Sequence, residues 1–295
     1  MIWCSGWKLA SAVSNAGGLG LIGAGSMNPD LLREHIQKCK AATSKPFGVN
    51  LPLLYQQLDD FFTVLIEEKV RIVFTSAGNP LKWTGFLKEH GMMVVHVIAN
   101  VKSALKCEEA GVDAIVAEGF EAGGHNGKEE TTTFTLIPII REATQLPLIA
   151  AGGIATGRGM LAAMVLGAEG VQIGTRFIAT EESSAHPLFK QKILDSMDGD
   201  TYLSIKKVVP VRLLRNKFFD ELRKMEERGA SREELIAFLG KGRAKHGMFE
   251  GDMENGELEA GQIAAMGREI KPAREIVREV MDDFLYAVSQ TSKLF

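Results

Sequence analysis

The chain has 295 residues, of which 45% are hydrophobic and 24% are charged, and this composition suffices for one large core with a small appendage. The net charge of -3 and the absence of a long basic block exclude nucleic acid as an expected partner. Three widely spaced cysteines fit neither a disulfide framework nor a metal site and predict a reducing cytoplasm, and the sequence shows no membrane span and no signal peptide.

Short apolar segments recur between residues 18 and 175. Continuous apolar runs of this length are typical of strands that are buried on both faces. The segments that predict strands are Gly18–Gly25, Phe47–Leu51, Ile72–Gly78, Val94–Asn100, Ala114–Gly119, Pro147–Gly153 and Gly170–Thr175.

Amphipathic segments separate these strands and predict helices. They are Pro29–Ala42, Gln57–Lys69, Leu81–His90, Val101–Ala110, Leu136–Thr144 and Gly157–Leu166. Such alternation indicates an α/β protein with a parallel sheet. Glycine-rich ends follow the last three strands, whereas a doubly wound sheet would carry its phosphate loop after the first strand. The pattern therefore favours a (β/α)8 TIM barrel in which the first strand is missing.

Beyond residue 175 the alternation stops. We expect residues 206–265 to form a small helical insertion or lid beside a barrel built from residues 1–205 and 266–295. Ser231 and Glu234 have the spacing of a capping box. The helices predicted in this part are Val211–Arg228, which is basic, Ser231–Gly240 and a terminal helix over residues 271–290.

The segment Ala117–Gly127, which reads AEGFEAGGHNG, ends the fifth strand with several glycines and one histidine. Glycines let the backbone approach a ligand closely, and histidine suits proton transfer near neutral pH. Loops at the carboxyl ends of barrel strands carry the chemistry of this fold. We therefore expect His125 to act as a general acid or base, or as a hydrogen-bond donor, at the mouth of the barrel.

Backbone amides after the next two strands predict an anion site. Gly152, Gly153, Gly174 and Thr175 lie at these strand ends, and amides at such turns bind phosphate. Asn50 ends another strand, where its amide either bonds a heterocycle or caps the next turn. His96 lies in mid-strand between apolar neighbours, which is typical of a buried core histidine, although an inward-facing one near the mouth could contact a ligand.

Two alternatives stay open at this point. One is a barrel that binds a phosphorylated ligand without turnover. The other is an isomerase or aldolase barrel, although neither Lys45 nor Lys128 lies inside a strand, where a Schiff-base lysine is expected. The spacings of common zinc motifs are absent, so no metal site is predicted.

Several stretches, taken in order and spacing, resemble one family over nearly the whole chain: the FMN-dependent nitronate monooxygenases and type II enoyl-ACP reductases. The matching stretches are Ala12–Gly20 (AVSNAGGLG), Lys45–Asn50 (KPFGVN), Ser76–Pro80 (SAGNP), Glu118–Gly127 (EGFEAGGHNG), Ile149–Gly153 (IAAGG), Gly167–Phe177 (GAEGVQIGTRF) and Ala260–Ala264 (AGQIA). SAGNP and EGFEAGGHNGKEETTT are more similar to the reductase branch, in particular to enoyl-ACP reductases of the Bacteroidetes type.

The resemblance implies an inserted domain beside a barrel that binds FMN at its mouth, with His125 beside the flavin. It implies NADH- or NADPH-dependent reduction of trans-2-enoyl-ACP, or alternatively oxidation of alkyl nitronates with O2. The cofactor-binding residues that we expect are Asn50, His96, Glu118, Gly123, Gly124, Ala151, Gly152, Gly153, Gly174 and Thr175.

The resemblance also implies partners. An acidic acyl carrier protein would meet basic side chains of the insertion, and a homodimer is a further expectation. The basic residues in question are Lys206, Lys207, Arg212, Arg215 and Lys217. Members of this family begin with a further strand that ends in a Gly-Gly-Met-like turn, and Met1 lies where the methionine of that turn would lie. We therefore expect seven of the eight barrel strands.

Overall fold

Seven parallel strands form one curled sheet in the computed structural model, which describes residues 1–54 and 58–291. All seven predicted strands are confirmed, and their neighbours in the sheet follow chain order. The strands of this sheet are β1 (Gly20–Gly23), β2 (Phe47–Pro52), β3 (Ile72–Ser76), β4 (Met93–Ile98), β5 (Ala114–Glu118), β7 (Leu148–Ala151) and β8 (Gly170–Gln172).

Helices connect consecutive strands and cover the outside of the sheet. The helices up to β8 are α1 (Trp7–Asn15), α2 (Pro29–Ala42), α3 (Leu58–Glu67), α4 (Thr84–Glu89), α5 (Val101–Ala110), α6 (Thr133–Ala143) and α7 (Gly157–Val165). Those after it are α8 (Thr175–Ile178), α9 (Pro187–Leu194), α10 (Lys217–Glu227), α11 (Arg232–Leu239) and α12 (Ala273–Thr291).

The predicted helices of the α/β part are confirmed, and α2 and α5 have the predicted bounds. Asn28 caps α2, because its side chain accepts a hydrogen bond from Leu31 N at 2.8 Å. Gln57, the first residue of one predicted helix, lies outside the described residues.

The two faces of the curled sheet bury different clusters. Phe74, Val95, Val116 and Ala151 come from four strands and pack together on the inner face. The alternate residues of the same strands, together with the helices, form the larger outer core. Successive side chains of a strand point to opposite faces, so the position of a residue in this alternation decides whether it reaches the interior.

A second, antiparallel sheet lies beside the first. Its order is β6-β10-β9, in which β6 is Gly124–His125, β9 is Thr201–Ser204 and β10 is Val211–Leu214. The predicted helix Val211–Arg228 is therefore wrong in its first residues. All four residues of β10 are buried and paired with neighbouring strands.

Helix α10 begins only after Asn216, whose side chain accepts a hydrogen bond from Phe219 N at 2.9 Å. The capping box of α11 is confirmed, with Ser231 and Glu234 bonding reciprocally.

In the described part of the chain the seven-stranded sheet does not close from β8 to β1. Instead, residues 1–5 lie at the carboxyl end of this gap. Gly23 N donates a hydrogen bond to Ser5 O at 2.9 Å, and the Met1 side chain lies close to Gly174. None of the described helices combines the length and apolar character needed to cross a membrane.

Candidate active site

Three residues lie in register at the carboxyl ends of β5, β7 and β8: Glu118 and Ala151, which were predicted, and Gln172, which was not. Glu118 pairs in register with Ala151, and Ala151 pairs with Gln172. Adjacent strands lie about 4.8 Å apart, so these residues line a continuous part of the inner face. Asn50 occupies a similar place on β2, in register with Gly23. Glu118 and Ala151 are therefore neighbours on the inner face, and Asn50 lies on the same face of the sheet in β2, three strands away from β5.

His96 does not join them. It belongs to the same alternation as Val94 and Ile98, which lie in the outer core between sheet and helices. Its side chain is buried at 3% exposure, and Nδ1 lies 2.7 Å from Thr75 Oγ1. Burial lowers the pKa of His96 to about 4, so the imidazole is neutral. The structure therefore places His96 in the outer core, away from the mouth.

Gln172 is a site residue that the sequence analysis missed. Its Oε1 atom is buried and has no hydrogen-bond partner among the described residues. A buried carbonyl without a donor costs about 1–3 kcal/mol, so a donor from a ligand or a water molecule would stabilise this position. The sequence did contain a signal: in β8, which reads GVQ, Val171 packs against the outer core, so the alternation of the strand directs Gln172 to the inner face.

Glu118 has a perturbed ionisation. Burial raises the pKa of Glu118 to about 7 because desolvation disfavours the charged form. At neutral pH a large fraction of this carboxyl group is therefore protonated and can donate a hydrogen bond. Gln172 and Glu118 together offer both a donor and an acceptor to a flat ligand on the inner face.

The turn after β7 requires glycine for two reasons. Gly152 and Gly153 have φ of 90° and 69°, which side chains rarely adopt. A Cβ on Gly152 would also lie 2.7 Å from Gly119 O. Glycine is therefore the residue that fits both positions of this turn.

The turn after β8 is built differently. Thr175 Oγ1 accepts a hydrogen bond from Gly261 N at 2.9 Å, which ties this turn to the chain beyond residue 260. A Cβ on Gly174 would meet only the side chain of Met1, at 3.6 Å. Phosphate binding at the two turns stays a prediction.

His125 lies on the second sheet, where β6 pairs with β10. The preceding loop is held by Glu121, whose carboxylate accepts hydrogen bonds from Thr133 N at 3.0 and 2.9 Å. Gly123 packs so closely on Ala260 that a Cβ would lie 2.5 Å from the carbonyl carbon. The side chain of His125 is 61% exposed, so it faces open space.

Two buried carboxyl groups lie behind His125. Glu259 Oε1 is 4.0 Å from His125 Nδ1, and the Glu259 side chain is 12% exposed. Burial raises the pKa of Glu259 to about 7, and burial together with the neighbouring Glu259 raises the pKa of Glu257 to about 7. Gly124, at φ 77°, makes room for this pair, since a Cβ there would lie 2.6 Å from Glu259 Oε2.

Arg212 is not a surface residue, contrary to its expected role in docking. It is 2% exposed, and its Nε donates a hydrogen bond to Phe120 O at 2.9 Å. The guanidinium also lies over the Phe120 ring, 4.9 Å from the centroid. Arg212 was predicted on a helix, but its place on the central strand of the second sheet buries it. It joins β10 to the loop that carries His125.

Other members of the basic cluster are exposed but engaged. Lys206 pairs with Glu130 at 2.6 Å, and Arg215 pairs with Asp220 at 2.8 Å. Lys207 Nζ donates hydrogen bonds to two backbone carbonyls at the end of α10. Docking of an acidic partner at this cluster stays a prediction. It would require Lys206 and Arg215 to leave Glu130 and Asp220 and to pair with acidic groups of the partner instead.

Comparisons with known proteins agree on one family. The family model described as nitronate monooxygenase matches residues 1–66 and 57–283. The structure of FabK from Thermotoga maritima has a TM-score of 0.94 and 43% identity, covering 100% of this chain and 94% of that one. A probable nitronate monooxygenase of Staphylococcus haemolyticus is 34% identical over 74% of each chain. A Mycobacterium tuberculosis protein named as a substituted indene-carboxyl-CoA dehydrogenase is 31% identical over 100% of this chain and 94% of its own length.

Proposed function

The chain belongs to the nitronate monooxygenase family and is a flavin-dependent oxidoreductase, and we propose that it reduces trans-2-enoyl thioesters with NADH or NADPH. The observation that carries this proposal is the likeness to FabK, an enoyl-ACP reductase, at 43% identity over the whole chain. The relative named as a carboxyl-CoA dehydrogenase supports a thioester substrate. Both comparisons favour an acyl group carried on CoA or on a carrier protein.

The residues at the mouth fit FMN. The unpartnered Gln172 Oε1 and the partly protonated Glu118 suit the polar edge of an isoalloxazine ring, and Asn50 adds a further amide on the same face. The phosphate would be held by backbone amides of the turns that follow β7 and β8. The residues proposed to contact FMN are Asn50, Glu118, Gly123, Gly124, Ala151, Gly152, Gly153, Gln172, Gly174 and Thr175.

When bound, FMN supplies hydride transfer from the nicotinamide to the β-carbon of the enoyl thioester. The protein supplies the proton. His125 is exposed at the mouth, and its Nδ1 faces Glu259, which leaves Nε2 free for substrate. Nε2 would donate to the thioester carbonyl oxygen or protonate the α-carbon. Glu259 Oε1 lies 4.0 Å from Nδ1, and a closer approach would let it hold the imidazole in one orientation.

Oxidation of alkyl nitronates is the second candidate. The family model and the probable nitronate monooxygenases favour it. In this reaction His125 would remove the proton from a neutral nitroalkane, and the protein would need O2 but neither a nicotinamide nor a carrier protein. The two candidates thus use the same histidine and differ in their electron donor.

We also propose that residues 206–265 act as a lid over a barrel formed by residues 1–205 and 266–295. A separate apolar core that gathers buried side chains between residues 205 and 235 supports this division. The hydrogen bond from Arg212 to Phe120 O and the pairing of β10 with β6 connect the two parts beside His125. A carrier protein would approach along the lid, where Lys206 and Lys207 are exposed.

The test is anaerobic mixing of the FMN-loaded protein with NADH or NADPH while the visible absorption of the flavin is followed. The proposal requires rapid loss of this absorption, and its return when crotonyl-CoA is added. His125→Ala should keep the first step and lose the second. Loss of absorption with an alkyl nitronate, and none with either nicotinamide, would reject the reductase and favour the monooxygenase.

A further inference from the structure

A cavity of about 360 Å³ adjoins His125 on the side of the lid. This volume lies within the range of small-molecule sites. Its walls come from the turn before β10, from the chain after α11 and from the segment at the start of the chain. The apolar side chains that line it are Trp3, Ile205, Val208, Val209, Val211, Leu239 and Ala244.

The charged residues of the cavity are already satisfied. Arg243 donates hydrogen bonds to the carbonyls of Leu239, Phe238 and Asn255 at 2.8–2.9 Å, so all its nitrogens serve the fold. Lys245 pairs with Glu250 at 2.7 Å. These contacts engage the donor groups of both side chains, so neither could bond a small anion such as a nitronate without giving up a contact of the fold.

Glu257 is the acidic member of the lining. Burial raises its pKa to about 7, so near neutral pH much of this carboxyl group is uncharged. The groups that face it are Glu259, His125 and Arg243. The carboxyl group of Glu257 therefore opposes a hydrocarbon less than a fully ionised carboxylate would, and the apolar side chains make up most of the remaining wall.

The apolar wall is built at a conformational cost. Ile205 has φ 63°, an outlier for a β-branched residue. Its amide donates a hydrogen bond to Glu226 Oε1 at 2.7 Å, and its carbonyl accepts one from Val208 N at 2.8 Å. Strain of this kind persists where the surrounding structure enforces it, often at ligand sites. The turn therefore holds Val208 and Val209 toward the cavity.

We propose that this cavity binds the hydrocarbon tail of the acyl thioester and sets the chain length that the enzyme prefers. The inference rests on the proposed function, because it extends the same substrate beyond His125. A tail in the cavity would place the thioester end beside the histidine, since His125 itself lines the cavity. The lid then contributes substrate selection as well as cover.

The test measures binding of saturated acyl-CoAs, from butyryl to decanoyl, to the FMN-loaded protein by titration calorimetry. Saturated thioesters are not reduced, so the readout is independent of turnover. Each methylene that enters an apolar site lowers the Kd about fourfold, and the heat-capacity change becomes more negative with length. A Kd that does not change along the series would overturn the proposal.

Two variants locate the tail. Val209→Trp narrows the cavity and should reduce the chain-length increments for the longer tails while leaving butyryl-CoA binding within about twofold. Val209→Asp, at a position 38% exposed, places a charge in the wall and should weaken decanoyl-CoA selectively even if the larger substitution prevents folding. Val165→Trp, on α7 at 78% exposure, is the matched control and should bind like the parent.

Equal increments in Val209→Trp, Val209→Asp and Val165→Trp would place the tail elsewhere. The outcome is separable from the reductase proposal. Length-dependent binding without nicotinamide oxidation would retain the acyl site and reject the reaction. Reduction of crotonyl-CoA without length dependence would retain the reaction and reject the site.

Discussion

Replacement of Glu259 by glutamine should make the protein less sensitive to alkaline pH. Glu259 is 12% exposed, and burial raises its pKa to about 7. The folded protein therefore keeps a proton on this carboxyl group at pH values where the unfolded chain has released it. The contribution of Glu259 to the free energy of unfolding is fully present below the pKa that this group has in the unfolded chain. It is lost as the pH rises through the folded pKa of about 7.

The magnitude follows from the shift. A glutamate in an unfolded chain has a pKa near 4.3, and each unit of difference corresponds to about 1.4 kcal/mol. A folded pKa of about 7 thus corresponds to a loss of about 4 kcal/mol from acidic to alkaline pH. Glutamine keeps the shape and has no such proton, so this loss should disappear. In the Glu259→Gln variant, Glu257 still makes the protein lose stability as the pH rises, because burial raises its pKa as well. This remaining loss should be smaller than in the parent, since ionised Glu259 is one of the causes that raise the pKa of Glu257.

The assay is urea unfolding at several pH values between about 5 and 8, at one fixed FMN concentration because bound ligand also stabilises. The midpoint should fall with pH in the parent and fall less in Glu259→Gln, with the slope m unchanged. Glu254→Gln, on an exposed residue of the same loop, is the matched control. Parallel curves for the parent and Glu259→Gln would refute the reasoning.

Three other variants test separate parts of the site. His125→Asn should lower the rate of enoyl reduction by about 10²–10⁴-fold with FMN affinity unchanged, as measured by stopped-flow kinetics and flavin fluorescence. Gln172→Met removes a buried carbonyl that lacks a donor, so it should stabilise the flavin-free protein by about 1 kcal/mol in thermal unfolding. The same change should raise the Kd for FMN several-fold in a titration, because the ligand loses an acceptor. Arg212→Met, which leaves Phe120 O without its donor, should destabilise the protein by about 1–3 kcal/mol in urea, whereas Arg215→Met at an exposed ion pair should cost less than about 1 kcal/mol.

The seven strands of the large sheet were predictable because each is a continuous apolar run between helical segments. The bounds of α2 and α5 were predictable because asparagine caps begin both helices. Helix α1 was not predicted: Gly6 at its start provides no side-chain cap, its first turn has no acid and its last turn has no base. Strand β10 was hidden because VRLL has the composition of either a strand or a helix, and only its pairing with β6 and β9 decides.

The site shows the same limit. Asn50, Glu118 and Ala151 could be placed from the sequence, since residues at the carboxyl ends of parallel strands meet at one edge of the sheet. His96 could not be placed without the register, because one step along a strand moves a side chain from the inner face to the outer core. Gln172 was missed although it lies within a segment that the resemblance included. Its importance rests on the unpartnered oxygen, which only a structure shows.

The active site is assembled from two sheets, and one loop determines how they meet. The proposed flavin contacts belong mainly to the large parallel sheet, whereas His125 belongs to the small antiparallel sheet. The chain passes from one to the other through residues 119–123, which Thr133 holds from one side through Glu121 and Arg212 from the other through Phe120 O. Flavin binding and proton transfer should therefore be separable. Loosening the loop at Arg212 should lower turnover much more than FMN affinity, because the histidine would lose its fixed position while only Gly123 and Gly124 of the proposed flavin contacts lie on or beside the loop. A parallel loss of both would show instead that the two sheets behave as one unit.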